Sequence, residues 1–519
     1  MHTLYPQGGN NPHPYGNTTD PEAPENTLQE SSFQPAGAAN PMPSFSYDFF
    51  APLGEFGQPR VHFHQMRRLH LMVADSDIAD LTPTFPDFAT GLRWAARSDG
   101  TSGFLFVNNY QRLATLPVHT DVRFTLAMTD NSTLEIPSAN SSALKIAPGV
   151  WFSWPFNLRV GPGGQSDEVT VAWATAQLIS TVKTGPKAML VLLAETPGVA
   201  IEIGFVSAGV HVTSPHGSIH PEGAYEVVRG LSGSFDVGAS VTTSSGTRVD
   251  FVVVAAEFHD RVWKYDTYDG VERVFIGETE GTELVLVEEG LLHLRGSSPQ
   301  LNVLVAPAFN SITVSDDTPK GRLLGTHQVG VFSNISVDVG PVVVPKARWT
   351  LTQPPAPARE LPINTRTKKA QEPHASEWGA AAHYSVMLAD PKCPVSQDTC
   401  ARFQPAAKMQ QSNVDLRLGV DYHADSARVY LEKRCLTDNW FSGYVGDGQL
   451  QVGLDYLAGE NPGIWSTNLT LLMLPIKKSS LENHVFLQKA LWPDFGTADT
   501  VCDLRSIDVI PTYKVSLKI

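Results

Sequence analysis

Two apolar runs, Leu92-Arg93-Trp94-Ala95-Ala96 and Phe104-Leu105-Phe106-Val107, flank the loop Ser98-Asp99-Gly100-Thr101-Ser102-Gly103. Because Asp-Gly favours positive backbone angles, this stretch predicts a β-hairpin. From about residue 91 to 345 the pattern recurs, with short runs rich in Val, Ile, Phe, Leu and Thr between clusters of Gly, Asn, Asp and Ser. Such a pattern is typical of antiparallel strands. The sequence therefore predicts a mainly β protein built from several antiparallel β-sandwich domains.

The predicted strands lie on both sides of a proline-rich segment. Residues 350–375 carry Pro354-Pro355-Ala356-Pro357 and Lys368-Lys369 with few apolar anchors, which predicts an extended linker. Residues 376–519 return to strand-like runs, and we expect another sandwich there. The clearest predicted strands are 251–255, 273–276, 284–287, 291–294 and 302–305 before the linker, and 385–388, 414–418, 428–431 and 469–474 after it.

The first ninety residues follow a different pattern. Residues 1–45 are crowded with Pro, Gly, Asn, Ser and Gln and show no periodicity, so we predict loop or disorder there. Between Arg60 and Ala74 apolar residues alternate with His and Arg, which predicts an amphipathic helix of about four turns. Pro59 precedes it, as prolines often do at helix starts. The apolar face of this helix is expected to require a cover.

Composition and charge exclude several classes of protein. The chain has 519 residues, 42% of them hydrophobic and 18% charged, which is typical of a folded, soluble protein of several domains. Its formal net charge is −15 and its basic clusters are pairs such as Lys477-Lys478, so no nucleic-acid partner is expected. Without a run of about 18 apolar residues, no membrane-spanning helix is predicted. The first residues also lack the basic and apolar regions of a secretion signal.

The cysteines and histidines predict no metal site and no cofactor. Four cysteines, Cys393, Cys400, Cys435 and Cys502, lie in the last quarter of the chain. A local Cys393–Cys400 disulfide, which would suit an oxidising compartment, and free thiols are both open interpretations. The Cys393–Cys400 spacing is too wide for a zinc knuckle. Histidines two apart on a helix, such as His62 and His64, point to different faces.

Several blocks of sequence carry a resemblance to a known family. Ser46-Tyr47-Asp48-Phe49-Phe50-Ala51-Pro52-Leu53 resembles the Ser-Tyr-Asp-Tyr-Asp-Ala-Pro-Leu segment of the β-galactosidases of glycoside hydrolase family 35, which closes the sugar pocket there. The order and spacing of the further blocks are specific. They are Gly103-Phe104-Leu105-Phe106-Val107-Asn108-Asn109-Tyr110-Gln111-Arg112, Trp151-Phe152-Ser153-Trp154-Pro155-Phe156-Asn157-Leu158, Ala174-Thr175-Ala176-Gln177, Ala427-Arg428-Val429-Tyr430-Leu431, Asp438-Asn439-Trp440-Phe441 and Leu491-Trp492-Pro493-Asp494-Phe495.

The resemblance implies a domain order. Residues 46–90 would be the end of a (β/α)8 barrel with its last helix, 91–180 a small β-domain and 181–349 a β-sandwich. After the linker, 376–519 would be a jelly-roll-like sandwich. Trp151, Trp154 and Phe156 are expected to pack between domains.

The resemblance also implies an activity, the retaining hydrolysis of terminal β-galactosides, by a pair of carboxyl groups. In the family both are glutamates on barrel strands before the Tyr-Asp segment, and this chain has no such positions. We therefore expect the chain to be inactive alone. Tyr47 is a candidate sugar-binding residue, but Phe49 and Phe50 replace a tyrosine and an aspartate and remove two polar groups. Asp48 with Glu55, and Glu257 with Asp260, are expected to be loop and surface charges.

The alternative hypothesis is a non-catalytic carbohydrate-binding or scaffold protein. Trp440, with Phe441 and Tyr444, is its candidate platform, because an aromatic ring stacks on the apolar face of a pyranose. Packing within the sandwich is the competing interpretation of these rings. The expected partner is a β-galactoside or a galactose-containing polysaccharide, and a third hypothesis adds a separate barrel polypeptide. The family would imply an extracellular or lysosome-like compartment, but the residues leave the compartment unknown.

Overall fold

The protein is mainly β, as predicted. The computed structural model describes residues 52–54, 56–75, 91–110, 116–163, 167–267, 269–278, 281–288, 290–316, 318, 321–340, 342–360, 375–392, 401–403, 413–441, 450–460, 462–483 and 489–519. Strand accounts for 55% and helix for 11%, and nearly all strand pairs are antiparallel, which confirms the predicted class. The chain divides into two compact units: unit 1 holds residues 1–63 and 341–514, and unit 2 holds 64–340 and 515–519.

Unit 2 consists almost entirely of short strands after one helix. The helix is α1 (Val61–Ala74), whose first three residues belong to unit 1. The strands are β1 (Arg93–Ser98), β2 (Gly103–Asn108), β3 (His119–Val122), β4 (Phe124–Ala127), β5 (Thr133–Ile136), β6 (Leu144–Ile146), β7 (Trp151–Val160), β8 (Val169–Ala174), β9 (Ala176–Gly185), β10 (Ala188–Glu195), β11 (Ile201–Val206), β12 (Val210–Thr213), β13 (Ser218–Glu222), β14 (Tyr225–Leu231), β15 (Ala239–Thr243), β16 (Arg248–Val254), β17 (Val262–Asp266), β18 (Glu272–Gly277), β19 (Glu283–Glu288), β20 (Leu291–Gly296), β21 (Gln300–Ala306), β22 (Thr313–Val314), β23 (Arg322–Val329) and β24 (Phe332–Asp338).

The described part of unit 2 contains three sheets of five or more strands, together with the strand pairs β3-β6, β4-β5 and β19-β20. A seven-stranded sheet has the order β1-β2-β7-β8-β11-β14-β13, and two five-stranded sheets have the orders β12-β15-β16-β10-β9 and β17-β18-β21-β24-β23. Two cores share the middle sheet. Val191 and Leu193 of β10 join the core shared with the seven-stranded sheet, whereas Leu190 and Leu192 join the core shared with the third sheet. A strand buried on both faces needs a continuous apolar run, and β10 carries Met189 to Ala194 as such a run.

Unit 1 contains two facing groups of strands. One sheet has the order β25-β26-β31-β28-β29, and β34 pairs with β27, which pairs with β30. Val414, Leu416, Leu418 and Val420 are buried at alternate positions of β27, as expected for one core-facing side of a strand. The elements are β25 (Lys346–Gln353), β26 (Ala382–Ala389), β27 (Val414–His423), β28 (Ser426–Leu431), β29 (Arg434–Trp440), β30 (Leu450–Gly453), α2 (Leu454–Glu460), β31 (Leu469–Leu474), β32 (Ile476–Lys477), α3 (Lys478–Asn483), β33 (Thr500–Val501) and β34 (Asp503–Lys518).

Some expectations need correction. The helix α1 lies where predicted, but its buried residues are Arg68 and Met72, while Leu69 and Val73 are exposed. The packed face therefore carries a buried arginine beside the apolar Met72. The guanidinium groups of Arg67 and Arg68 lie 4.0 and 4.4 Å from the ring centres of tryptophans in the sheets, and such contacts replace an apolar seam. Residues 350–353, at the start of the predicted linker, belong to β25.

Candidate functional site

The structure describes only some of the predicted site residues. Tyr47, Cys393 and Cys400 lie outside the described residues, so the pocket and disulfide hypotheses stay predictions. Trp440 is the last residue of β29, and the structure describes its backbone but not its side chain. Cys435 and Cys502 are free thiols, and burial raises the pKa of Cys502 to about 12. The Cys502 thiol is therefore not poised as a nucleophile at neutral pH.

The hairpin that carries Trp440 joins two of the quoted sequence blocks. β28 and β29 pair antiparallel, with Ser426 opposite Trp440 and Arg428 opposite Asp438. Opposed side chains on one face of such a pair lie close enough to interact. Here they form an ion pair, with 3.4 Å between Arg428 Nε and Asp438 Oδ2. The two side chains are only 7% and 5% exposed, so this pair is almost wholly removed from water.

An indole ring lies against the arginine of this ion pair. The Arg428 guanidinium lies 4.4 Å from the ring centre of Trp378, which belongs to a short 3-10 helix at Ala375–Ala380. Burial alone would lower the pKa of Arg428. The attraction of the Asp438 carboxylate opposes burial, and the pKa is raised above its usual value. The pair therefore stays charged, and its contact with Trp378 holds the short helix against the sheet.

A second group of charges lies at the β27–β28 turn. Asp425 has only 15% of its side chain exposed, and burial raises the pKa of its carboxyl group, while Arg359 opposes the shift. Arg359 bridges two carboxylates, with Nη2 3.5 Å from Asp425 Oδ2 and Nη1 3.2 Å from Glu377 Oε2. The backbone carbonyl of Asp425 accepts a 3.0 Å hydrogen bond from Phe441 N. The backbone of Asp425 is thus tied to the strand end that carries Trp440.

The aromatic rings beside Trp440 pack on one another. The Phe441 ring centre lies 5.2 Å from that of His423 and 6.4 Å from that of Tyr422. The Tyr422 hydroxyl donates to the Asn439 carbonyl at 3.1 Å, and burial raises the pKa of this phenol above its usual range. Phe441 therefore has a packing role here, which was the competing interpretation for this group of rings.

In unit 2 the most extensive polar group centres on Glu202. One carboxylate oxygen accepts hydrogen bonds from Trp173 Nε1 at 2.7 Å and Ser138 N at 2.8 Å. The other accepts from Arg229 Nε at 2.7 Å and from the Ser141 hydroxyl. Because both oxygens are saturated, Glu202 joins the loop after β5 to strands β8, β11 and β14 and has no lone pair left for a substrate.

Glu222 lies on the other side of the same arginine. Its Oε1 is 2.7 Å from Arg229 Nη2, and its Oε2 accepts from the Ser138 hydroxyl at 2.6 Å. Burial alone would raise the pKa of Glu222. The hydrogen bonds from Ser138 and Arg229 have the larger effect, so the pKa is lowered below its usual value. The arginine and the serine hydroxyl therefore favour the ionised form of Glu222.

Sequence reasoning missed the partners of Asp260. This residue was expected to be a surface charge, and that expectation is wrong. Its carboxylate lies 3.0 Å from His259 Nδ1 and 3.5 Å from Arg68 Nη1, and its backbone carbonyl accepts from Arg67. The arginines precede Asp260 by more than 190 residues, so no local pattern announces the contact.

Two other kinds of site, a metal centre and a membrane-spanning helix, are absent from the described residues. Within the described ranges, no three His, Cys, Asp or Glu side chains come together as a metal site would require. None of the helices in that part of the chain is long and apolar enough to cross a membrane. Compared with known proteins, the chain matches no protein-family model and no curated protein.

Proposed function

We propose that this chain is related to the β-galactosidases of glycoside hydrolase family 35 and supplies β-domains of that family. The pairing of the resembling blocks carries the proposal. Gly103 to Asn108 of β2 pairs with Trp151 to Phe156 of β7, and Phe156 then pairs with Trp173 of β8. Blocks more than 40 residues apart in sequence thus form neighbouring strands of one sheet. A resemblance confined to scattered positions would not be expected to fall on a single structural unit.

The finer assignments follow from the same proposal. The helix α1 would be the last helix of a barrel, and residues 376–519 a jelly-roll-like sandwich. The position of α1 directly before the β-domains supports the first assignment. For the second, support comes from the β28–β29 hairpin, which brings together the blocks around Arg428 and Trp440.

We propose further that the described residues do not cleave glycosides by themselves. Retaining hydrolysis requires two carboxyl groups about 5 Å apart, one of which holds a proton to donate. The groups around Glu202 and Glu222 do not meet this requirement, since Arg229 lies between the two carboxylates and favours the ionised form of Glu222. These side chains are suited to a structural role, in which they hold the loop after β5 against the neighbouring strands.

The test is an assay of the purified 519-residue protein on a chromogenic β-galactoside. We expect no turnover above a blank without protein, at any pH from 4 to 8, while an active β-galactosidase in the same buffer confirms that the assay works. Turnover that survives in the Glu202→Gln and Glu222→Gln variants would refute inertness and place the chemistry outside this group. Turnover lost in both variants would refute our structural interpretation of the pair.

Carbohydrate binding is the second candidate function. The observation that favours it is the position of Trp440 at the end of β29, opposite Ser426 and directly before the packed ring of Phe441. A tryptophan at a strand end suits stacking on a sugar. Affinity electrophoresis in galactan gels tests this candidate with Trp440→Ala, and Trp349→Ala, at an exposed tryptophan of β25, is the matched control. Equal retardation of wild type and both variants would reject it.

A further inference from the structure

One row of side chains crosses the first three strands of the seven-stranded sheet. Arg93 of β1 lies opposite Asn108 of β2, and Asn108 lies opposite Trp151 of β7. Opposed residues share a face of the sheet, and neighbouring strands are about 4.8 Å apart, so the row is about 10 Å long. We propose that this row, the Trp151 row, binds a short uncharged oligosaccharide.

Trp151 is unusual among the aromatic residues of its strand. Phe152, Trp154 and Phe156 are buried in the core of unit 2, whereas Trp151 is 41% exposed. The expectation that these rings pack between domains is therefore replaced for Trp154 and Phe156 by packing inside one unit. Trp151 has its ring open to solvent, and an exposed tryptophan on a rigid central strand is a platform held in place before a ligand arrives.

The platform is supported from within unit 2. The guanidinium of Arg68 lies 4.4 Å from the Trp151 ring centre, and its charge is balanced by Asp260 at 3.5 Å. Arg68 is itself buried. This contact restrains the indole ring, and the exposed part of the ring remains for a pyranose to stack upon.

Hydrogen-bonding groups lie along the same row. Asn108 Oδ1 accepts the backbone N–H of Tyr110 at 2.7 Å, which orients the carboxamide and leaves its NH2 group as the donor. The guanidinium of Arg93 donates to the Tyr110 carbonyl. Tyr110, two residues after Asn108, is 45% exposed.

The arrangement fits a sugar better than other ligands. Stacking needs one apolar ring face, and orientation needs a few donors at the distance of the next sugar ring; the Trp151 row offers both. An anionic ligand is disfavoured because the protein carries a net charge of −15 and the charge of Arg68 is already paired. The inference uses only contacts within unit 2 and does not depend on the proposed family or on Trp440.

The experiment uses the full chain and a panel of tetrasaccharides in isothermal titration calorimetry. Linear β-galactotetraose, cellotetraose and mannotetraose serve as uncharged probes, and tetragalacturonate serves as the anionic one. We expect wild type to bind at least one uncharged probe, Trp151→Ala to lose about tenfold or more in affinity, and Asn108→Ala to lose a few fold. Trp440→Ala and Trp349→Ala are expected to retain the affinity, which separates this site from the second candidate function.

Folding is checked independently of binding. Trp151→Phe keeps an aromatic ring, and it is expected to retain most of the affinity and the wild-type melting temperature. If Trp151→Ala melts much earlier than wild type, Asn108→Ala and Trp151→Phe carry the test. Binding that survives in Trp151→Ala, preference for tetragalacturonate, or no binding of any probe at millimolar concentration would each overturn the proposal. A change of oligomeric state on Trp151→Ala, without saccharide binding, would instead identify a protein contact.

Discussion

Replacing Asp455 with asparagine should make unit 1 more stable at neutral pH. Asp455 lies in the first turn of α2, and its carboxylate accepts the backbone N–H of Leu416. Burial raises the pKa of Asp455 from 3.8 to about 6, and the nearby Asp415 charge adds to this, while the Leu416 bond and Lys514 oppose it. The fold therefore favours the protonated form of this group.

The direction of the pH dependence follows from that pKa. A carboxyl group with a raised folded-state pKa adds most to the unfolding free energy below pH 3.8. This contribution is lost as the pH rises to about 6. The interval from 3.8 to about 6 corresponds to about 3 kcal/mol. Asp455 is partly exposed, so solvent screening reduces the expected loss to about 1–2 kcal/mol. Asparagine keeps a carbonyl oxygen for Leu416 and carries no charge to desolvate.

Urea denaturation at several pH values measures this effect. At pH 7.5 we expect Asp455→Asn to unfold at a higher urea concentration than wild type, by about 1–2 kcal/mol in unfolding free energy. The difference should shrink towards zero between pH 6 and pH 4. Asp508→Asn, at an exposed position of β34, removes the same charge and serves as the control. The reasoning would be refuted if Asp455→Asn were less stable than wild type at pH 7.5, or if the difference in unfolding free energy were the same at pH 7.5 and at pH 4.

Four further substitutions test the packing of unit 2. Glu202→Ala should lower the unfolding free energy by about 3–5 kcal/mol, because it leaves Arg229 with only one of its two carboxylate partners. Glu222→Ala removes the more exposed carboxylate and should lower the unfolding free energy clearly less in the same urea titration. Leu192→Ala should cost about 2–5 kcal/mol, as expected for a fully buried leucine of a central strand, and a cost below 1 kcal/mol would contradict that burial. Asp75→Ala removes the acceptor for Lys264 and Ser180 after α1, so hydrogen exchange should quicken in the last turn of that helix and not in β10.

Local patterns predicted the elements that depend on local chemistry. The hairpin read from residues 92–107 is present as β1 and β2, with Asp99 accepting backbone N–H groups from Thr101 and Ser102 in the loop. The helix predicted from Arg60 to Ala74 is present as α1. Turn residues and period-two alternation act over a few positions, so they can be read directly from the chain.

Non-local contacts were beyond such reading. β10 pairs in parallel with β16, about 60 residues later, and an apolar run does not reveal its partner. The helix α1 buries Arg68 because two tryptophans and Asp260 receive its charged face, and none of these lies near it in sequence. The Glu202 group likewise assembles donors from two strands and from a loop up to 64 residues away.

The sequence by itself determined that this is a mainly β protein with one early helix, because strand and turn preferences act between near neighbours. It also supplied the family resemblance, the candidate Trp440 and the expectation of no paired catalytic carboxylates. Only the tertiary structure decided which charges are buried and paired, which tryptophan stays exposed, and which strands share a core. Those properties depend on burial and on contacts between distant residues, and burial is a property of the folded chain rather than of any segment of it.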